Sequence, residues 1–371
     1  MSHCPRPRPP ETIASTAVDK PAVVERPNTG LVVCRPDDPS WRRLVQVHPA
    51  ATAFHHPAWS DAISASYGFP AYVLAQQAAD GTIVAGLPAQ LVRTPFRRPR
   101  VVSLPFTDHC PPLVAPDADA GGFLGALERW RDEAGRPALE IRAALPASTG
   151  MQTDAIGTRR LIELDAEPSI LFARLHRNRI QKRVRRSREL GVEVSITRDR
   201  ADLPAFYRLH CETRRRQGVP VQPRRFIESI WERLIEPGLG FVVIASIRDK
   251  PVAVALILSW NRHLIYKFGA SDSGHWKLGA NFLVHWTAME WGCVNGYLDY
   301  DFGRTDSRHE SLREFKAAWG GSELPLVHSY LGTPVRGQGA GRATSALAHL
   351  IKRSPTLVCR GVGELLYRYA A

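Results

Sequence analysis

Two short motifs in the second half of the sequence place charged residues at the ends of adjacent predicted elements. A DFGR motif spans residues 301–304, and an FKxxWG motif spans residues 315–320. Asp301 and Arg304 follow a predicted strand, where they either pair with each other to shape a cleft or take part in chemistry directly. Lys316 lies in a predicted helix and is either a surface lysine or a cation that serves a reaction. The two motifs together predict a charged site at one end of a sheet.

The residues that precede these motifs predict the walls of the same site. Tyr266 and Lys267 are neighbours in a predicted strand and therefore point to opposite faces of it. A loop over residues 269–277 follows that strand and opens a helix near Asn281. Free backbone N–H groups at such a helix start can hold an anion such as a phosphate. Asn281 itself is either a structural cap or a contact to the ligand.

The order of predicted elements repeats along the chain. A strand, two helices, three strands, a helix and a strand occur once in each half, and the second half adds a helix and a strand. This order predicts an α/β protein with mixed α+β sheets, built from two similar domains packed side by side with a ligand cleft near their junction. The predicted divisions are 1–28, a disordered proline-rich leader; 29–166, the first domain; 167–191, a basic helical connector; 192–332, the second domain; and 333–371, a C-terminal helical tail.

The connector carries eight arginines or lysines between Arg174 and Arg188. Leu171 and Leu175 share one helical face, whereas Ile180 and Val184 fall on the opposite face, so one straight helix cannot bury both pairs. A break near residues 176–178 is therefore predicted. The basic surface, including Arg177 and Arg179, is either a contact for phosphate or RNA or a solvated helix face.

Composition limits the classes of partner and compartment. The chain has 371 residues and a formal net charge of +13. This charge indicates an anionic partner or simply an arginine-rich composition. Six scattered cysteines without a CxxC pair argue against a zinc site and fit a reducing, cytoplasmic compartment. No segment has the ~18 apolar residues that would span a bilayer, so no integral membrane contact is expected. No metal is expected either, because the cysteines do not form a metal-binding motif.

Several further motifs, in a fixed order, resemble the FemAB-like transferases of the GNAT superfamily. The first half contains FHHPAW at 54–59 and SLPFTD at 103–108, and the middle contains RNRI at 177–180. The second half adds the DFGR and FKxxWG motifs, in the portion known as the BioF2-like acetyltransferase domain. The resemblance covers about residues 31–332 and implies two tandem GNAT-like domains.

The resemblance also implies an activity and a set of site residues. Such enzymes transfer an acyl or aminoacyl group to an amine, in envelope or natural-product pathways, from acyl-CoA or from aminoacyl-tRNA. In Fem enzymes the Phe-Lys pair is catalytic, which corresponds to Phe315 and Lys316 here. An Asp of the first-half loop lies near the acceptor amine, which corresponds to Asp108. The helical arm that some members use for tRNA is missing from this sequence, which disfavours a tRNA donor.

Acyl transfer to an amine requires loss of a proton, stabilisation of an oxyanion and a hold on the donor. Lys316 is expected to stabilise the oxyanion, Phe315 to exclude water, and Asp108 to orient or deprotonate the amine unless it only forms a turn. The predicted function is an N-acyltransferase that uses acyl-CoA and a small-molecule or peptide amine. The alternatives are an aminoacyl-tRNA-dependent enzyme and a non-catalytic nucleic-acid-binding module. The expected substrate-binding residues are Arg304, Asp301, Tyr266, Lys267, Asn281, Arg177 and Arg179.

Overall fold

A computed structural model describes residues 30–94, 98–148, 150–306, 309–332, 348–349 and 351–367. The predicted leader and the first part of the predicted tail lie outside the described residues. The strands are β1 Val32–Cys34, β2 Ala71–Gln77, β3 Ile83–Val92, β4 Arg100–Val102, β5 Leu113–Val114, β6 Ala138–Ile141, β7 Met151–Glu163, β8 Glu193–Thr197, β9 Gly240–Ile247, β10 Lys250–Trp260, β11 His263–Ser271, β12 Asp299–Thr305 and β13 Ser322–Leu331.

The helices cover both faces of these strands. They are α1 Pro39–Val47, α2 Pro57–Tyr67, α3 Ala120–Glu133, α4 Pro168–Arg174, α5 Lys182–Glu189, α6 Leu203–Gln217, α7 Arg224–Ile230, α8 Ala280–Val294, α9 Glu310–Ala317 and α10 Thr356–Leu366. The order of strands and helices in the two halves is the predicted repeat. Two details differ: β7 begins eight residues before the predicted start at Arg159, and the two-residue strand β5 was not predicted.

All thirteen strands join one continuous sheet. The hydrogen-bonded order is β1-β2-β3-β4-β6-β13-β7-β12-β11-β10-β9-β8, and β5 pairs with β3. The last strand, β13, therefore lies between β6 and β7, which belong to the first half of the chain. In turn β7 pairs with β12 of the second half. The two halves thus exchange strands at their junction, which the element order did not predict.

Local signals explain why the best-predicted helices begin and end where they do. Helix α2 has a proline at its first position, where its missing N–H costs nothing, and it ends at Gly68 in the left-handed conformation. Helix α6 ends in the same way at Gly218. Both helices pack into a shared apolar core with α7 and with strands β9 to β11 of the second half. This core contains side chains from both halves of the chain and packs against the residues that form the site.

The connector is broken as its sequence predicts. Helix α4 ends at Leu175, whose backbone is extended, and a π-helical turn over Arg177–Gln181 leads into α5. Because of this break, Leu171, Leu175 and Ile180 are all buried in the core of the second half. The eight basic side chains of the connector are exposed.

Candidate functional site

Two pockets meet at the junction of the two halves, and Asp108 and Gly303 line both of them. We call them the acidic pocket and the basic pocket after their charged residues. The acidic pocket has a volume of about 190 Å³ and is lined by three aspartates, Asp108, Asp299 and Asp301, with His109, Arg159 and His263. The basic pocket has a volume of about 370 Å³ and is lined by five cations, Arg142, Arg214, Lys267, Arg304 and Lys316, with Asp108 as its acid.

Asp108 lies in a loop with unusual backbone geometry. Leu104 and Phe106 both have positive φ angles, 65° and 59°, which cost free energy for residues with a side chain. Neighbouring side chains hold the loop in place: Trp59 donates a hydrogen bond of 2.7 Å to Thr107. The Nζ atom of Lys267 donates another, of 2.6 Å, to the carbonyl of Phe106. The loop is therefore fixed by contacts from both halves of the chain.

Lys267 is a buried cation next to the Asp108 carboxylate. Its Nζ lies 3.9 Å from Oδ2 of Asp108 and 5.2 Å from the ring centres of Phe54 and Trp59. Burial lowers the pKa of Lys267, and the charge of Asp108 opposes this shift. The aromatic rings and the carboxylate favour the ammonium form of the lysine. As predicted, the Tyr266 side chain points to the opposite face, where it packs against His285. Tyr266 nevertheless also lines the basic pocket.

The surrounding cations keep Asp108 ionised. Burial acts to raise its pKa, but Lys267, Arg304 and Lys316 outweigh burial, and the pKa of Asp108 lies below its ordinary value. A carboxylate with a lowered pKa is a weak proton acceptor but a good hydrogen-bond acceptor for an amine. The geometry therefore favours orientation of an amine by Asp108 over its deprotonation.

Lys316 is buried and holds a bulge in β12. Only 3% of its surface is exposed, so it is not a surface lysine. The register of β12 against β7 shifts between Asp301 and Arg304. Nζ of Lys316 donates hydrogen bonds to the carbonyls of the three successive residues there, Phe302, Gly303 and Arg304, at 2.8, 2.9 and 3.0 Å. Bulges beside active sites redirect side chains, and this bulge brings Gly303 against Asp108.

The protonation state of Lys316 follows from those contacts. Burial lowers its pKa to about 8, although Asp108 and Asp301 act in the opposite direction. Three carbonyl acceptors require three N–H donors, and only the ammonium form has three. At neutral pH the side chain is therefore a cation whose hydrogens are all engaged by the backbone. Direct donation to an oxyanion would require it to release one of these carbonyls.

One ion pair between neighbouring strands and one backbone hydrogen bond hold the Asp301 carboxylate of the acidic pocket in place. Arg159 of β7 donates to Oδ2 of Asp301 at 2.8 Å, and the N–H of Gly303 donates to Oδ1 at 2.8 Å. Burial nevertheless raises the pKa of Asp301. Asp301 therefore pairs with Arg159 and not with Arg304, whose side chain lies 3.5 Å from Asp306.

His263 is a second fixed cation of this pocket. Its Nδ1 lies 2.7 Å from Asp299, and its Nε2 lies 2.8 Å from the carbonyl of Pro49. Both partners accept hydrogen bonds only, so both ring nitrogens carry hydrogens. The hydrogen bond that His263 donates to Asp299 raises the pKa of His263. By contrast, burial lowers the pKa of His109 to about 3, which leaves a neutral imidazole on the same pocket.

Some predicted site residues lie elsewhere. Phe315 and Asn281 line a separate pocket of about 440 Å³ beside the start of α8, not the two pockets that meet at Asp108. Asn281 is the second residue of that helix and donates to Ser271, so it is not the cap residue. Arg177 and Arg179 are exposed on the connector and line neither pocket at the junction. The fold therefore separates residues that the sequence motifs placed in one predicted site.

Other charged residues of the site were not predicted. They are Arg142, directly after β6, and Arg159, Arg214 and His263 within strands or helices, and none belongs to a recognisable motif. Their roles depend on which strands pair, and strand exchange makes β7 a neighbour of β12. In the described part of the chain, no group of three or more His, Cys, Asp or Glu side chains is placed to hold a metal ion. No helix of that part is long and apolar enough to cross a membrane.

Comparisons with known proteins agree with this architecture. Residues 174–316 match the profile of the acetyltransferase (GNAT) domain. The fold is similar to the crystal structure of FemX, with a TM-score of 0.65, 15% identity, and coverage of 84% of this chain and 98% of the other. It is also similar to a tandem GNAT protein from the clavulanic acid biosynthesis pathway, with a TM-score of 0.51, 14% identity, and coverage of 82% and 99%.

A third similar structure is the L-PGS from Bacillus licheniformis, with a TM-score of 0.54, 12% identity, and coverage of 86% and 99%. The search of curated protein sequences gives no significant match. The domain match shows that residues 174–316 contain an acetyltransferase (GNAT) domain, and the similarity to FemX and to the tandem GNAT protein shows that the whole chain shares their fold. The predicted tandem GNAT-like architecture is confirmed.

Proposed function

We propose that this chain is an N-acyltransferase that moves an acyl group from acyl-CoA to an amine at the point where the acidic and basic pockets meet. The observation that carries the proposal is that Asp108 and Gly303 line both pockets. Two substrates that enter from opposite sides would meet at the Asp108 carboxylate. Acyl transfer requires such a meeting of two bound molecules in a fixed geometry.

The charges of the pockets support the assignment of the two substrates. An amine is cationic in solution, and the acidic pocket offers it Asp108, Asp299 and Asp301. The acyl donor is anionic, and the basic pocket offers it five cations. In this proposal the amine nitrogen forms a bond to the acyl carbon, and the bond from that carbon to the leaving sulfur breaks. The cationic amine loses one proton to solvent before it attacks, and the second proton, lost once the new bond has formed, passes to the leaving thiolate.

The proposed roles follow from the contacts. Asp108 accepts a hydrogen bond from the amine and aims its lone pair at the acyl carbon. Lys267 has a single backbone carbonyl acceptor, so it retains N–H groups for the oxygen on which negative charge develops. Lys316 contributes its charge and holds the bulge, as a positioning residue. Phe315 packs against His285 and Trp319 and supports the helix that carries Lys316.

The direct test measures release of free CoA thiol from acetyl-CoA in the presence of an amino sugar or a lysine-containing peptide. We expect thiol release that depends on the amine and matches the amount of acylated product. A companion thermal scan should show stabilisation of about 2.7 kcal/mol at acetyl-CoA near 100 times its dissociation constant. Absence of both signals would reject acyl-CoA as the donor.

A second candidate donor is aminoacyl-tRNA. The observation that favours it is the exposed connector, where Arg177, Arg179, Lys182 and Arg183 have no ion-pair partner among the described residues. A polyanion would neutralise this surface. Charged tRNA replaces acetyl-CoA in the same assay, with transfer of a labelled aminoacyl group to the amine as the readout. Binding of tRNA without any transfer would instead support the non-catalytic nucleic-acid-binding alternative.

A further inference from the structure

The C-terminal segment, over residues 351–367, reaches the basic pocket through its last residue. Tyr367, directly after α10, lines this pocket, and its ring lies 5.4 Å from that of Phe106 in the loop that carries Asp108. Phe106 also contacts Tyr67 and Phe226, at 4.6 and 5.8 Å. The pocket therefore combines five cations with an aromatic wall, to which the tandem repeat and the tail both contribute.

Specific contacts fix this segment to residues 215–224. Glu364 accepts a hydrogen bond of 2.8 Å from the backbone N–H of Arg224. Arg215 donates to the carbonyl of Ser354 at 3.4 Å. Gly363 approaches the carbonyl of Val221 so closely that a Cβ atom would lie 2.0 Å from the oxygen. Only glycine, which has no Cβ atom, can approach a carbonyl this closely. The contact therefore fixes where α10 packs against residues 215–224.

A buried hydrogen-bond relay determines the direction of the Tyr367 hydroxyl. His210 lies 2.7 Å from Oε1 of Gln222, and Nε2 of Gln222 lies 2.7 Å from the Tyr367 oxygen. Burial lowers the pKa of His210 to about 3, so the imidazole is neutral. The Nδ1 atom of His210 has no partner, which places the ring hydrogen on Nε2. The carboxamide then accepts from His210 and donates to Tyr367.

This relay leaves the hydroxyl hydrogen of Tyr367 without an acceptor. Its oxygen accepts from Gln222, and no described residue is placed to receive its hydrogen. Burial raises the pKa of Tyr367, which keeps the group protonated as a donor. Arg214 lines the same pocket, and its guanidinium has no hydrogen-bond or ion-pair partner among the described residues. A neutral donor and a guanidinium in one pocket suit an anionic oxygen.

We propose that Tyr367 is a substrate-binding residue, whose hydroxyl donates a hydrogen bond to a phosphate or carboxylate oxygen of the ligand in the basic pocket. The proposal rests on the proposed function in assigning that ligand to the transfer reaction. The C-terminal segment is then a part of the substrate site that closes the pocket beside Phe106.

The test compares Tyr367→Phe with Tyr72→Phe, a control tyrosine of β2 that lines neither pocket. The probes are inorganic pyrophosphate and citrate, and the measurement is the dissociation constant by titration calorimetry. We expect Tyr367→Phe to raise the dissociation constant of at least one probe roughly tenfold, because a hydrogen bond to a charged group is lost. Tyr72→Phe should leave it unchanged.

The ring packing survives in Tyr367→Phe, but Gln222 loses its acceptor, so the thermal midpoint without ligand should fall by only a few degrees. Equal affinity of wild type and Tyr367→Phe for both probes would overturn the proposal, and so would failure of wild type to bind either probe. Competition by acetyl-CoA would assign the bound anion to the donor, and competition by an anionic amine would assign it to the acceptor. Binding is measured without turnover, so loss of acyl transfer with intact, Tyr367-dependent binding would reject only the proposed function.

Discussion

Nζ of Lys267 lies 3.9 Å from Oδ2 of Asp108, and the two residues come from opposite halves of the chain. The pair shows that the site belongs to neither repeat alone. The first half supplies the carboxylate on a strained loop, and the second supplies the buried ammonium that fixes the loop through the carbonyl of Phe106. Substitutions on either side of the junction should therefore affect the same reaction.

Asp108→Asn should lower kcat/KM for acyl transfer by roughly 10²-fold or more, the order of loss when a reacting group is misplaced. The amide keeps the size of the side chain but loses the charge that attracts and orients the amine. Steady-state kinetics with acetyl-CoA and an amine acceptor measure this. Asp249→Asn, in the exposed turn between β9 and β10, is the matched control. Unchanged kinetics in Asp108→Asn would remove Asp108 from the mechanism.

Lys316→Met should destabilise the fold by about 2–4 kcal/mol, because three backbone carbonyls lose their donor together. Methionine has a similar length and is compatible with the buried site. Urea unfolding of both proteins at pH 7 gives the difference in free energy of unfolding. If Lys316 only contacted the substrate, Lys316→Met would be as stable as wild type. That result would contradict the positioning role of Lys316.

The pH profile of activity should fall above about pH 8, where Lys316 loses its proton. Below that pH the ammonium form predominates, with all three carbonyl contacts made. Above it the neutral amine lacks one donor, and its charge no longer acts on the site. A profile of kcat/KM from pH 6 to 10 measures this, with the circular dichroism spectrum recorded at each pH. A rise through pH 8 would instead indicate that neutral Lys316 acts as a base.

Gly303→Ala should disturb both stability and activity. Gly303 has a φ of 65°, and an added Cβ would lie 3.1 Å from the carbonyl of Tyr266 and 3.3 Å from Oδ2 of Asp108. Gly296 has a φ of 74° and nothing within 4 Å, so Gly296→Ala has the backbone cost of about 1 kcal/mol without the contacts. We expect a larger loss of thermal stability in Gly303→Ala than in Gly296→Ala, and a loss of kcat/KM only in Gly303→Ala. Equal kinetics in the two variants would show that the contact with Asp108 does not matter.

His263→Gln should cost stability in a pH-dependent way. The folded-state pKa of His263 is raised above its ordinary value of 6.5 by the hydrogen bond that it donates to Asp299. Its contribution is therefore fully present below pH 6.5 and is lost as pH rises through the folded-state pKa. The difference in unfolding free energy between wild type and variant should be about 1–2 kcal/mol at pH 5.5 and smaller at pH 9. A difference that does not change with pH would contradict the charged form of His263.

Features set by neighbouring residues were predictable from the sequence. Helices α2 and α6 begin and end as predicted, because a proline near the start and a left-handed glycine after the end are local signals. The connector break followed from the burial demands of Leu171, Leu175 and Ile180. Asp301 and Lys316 were found because their motifs lie in adjacent elements that the fold keeps together.

Features set by distant parts of the chain were not predictable. The contact of Arg159 with Asp301 spans 142 positions and exists only because β7 pairs with β12. Phe315 adjoins Lys316 in sequence, but the two side chains leave α9 in different directions, and only Lys316 reaches the site. Tyr367 lies in a segment without a motif, and its role depends on how α10 docks on residues 215–224.

The exchanged strand has a consequence for how the protein is made. β13 occupies the gap between β6 and β7, and β7 has no sheet partner from the first half. During synthesis the N-terminal half emerges from the ribosome long before Ser322–Leu331, the segment that closes its sheet. An open edge at β6 must persist until then, and pairing across about 190 residues makes closure a late and slow event. We expect the final docking of β13 to limit the folding rate, and the nascent N-terminal half to need protection from edge-to-edge association until it occurs.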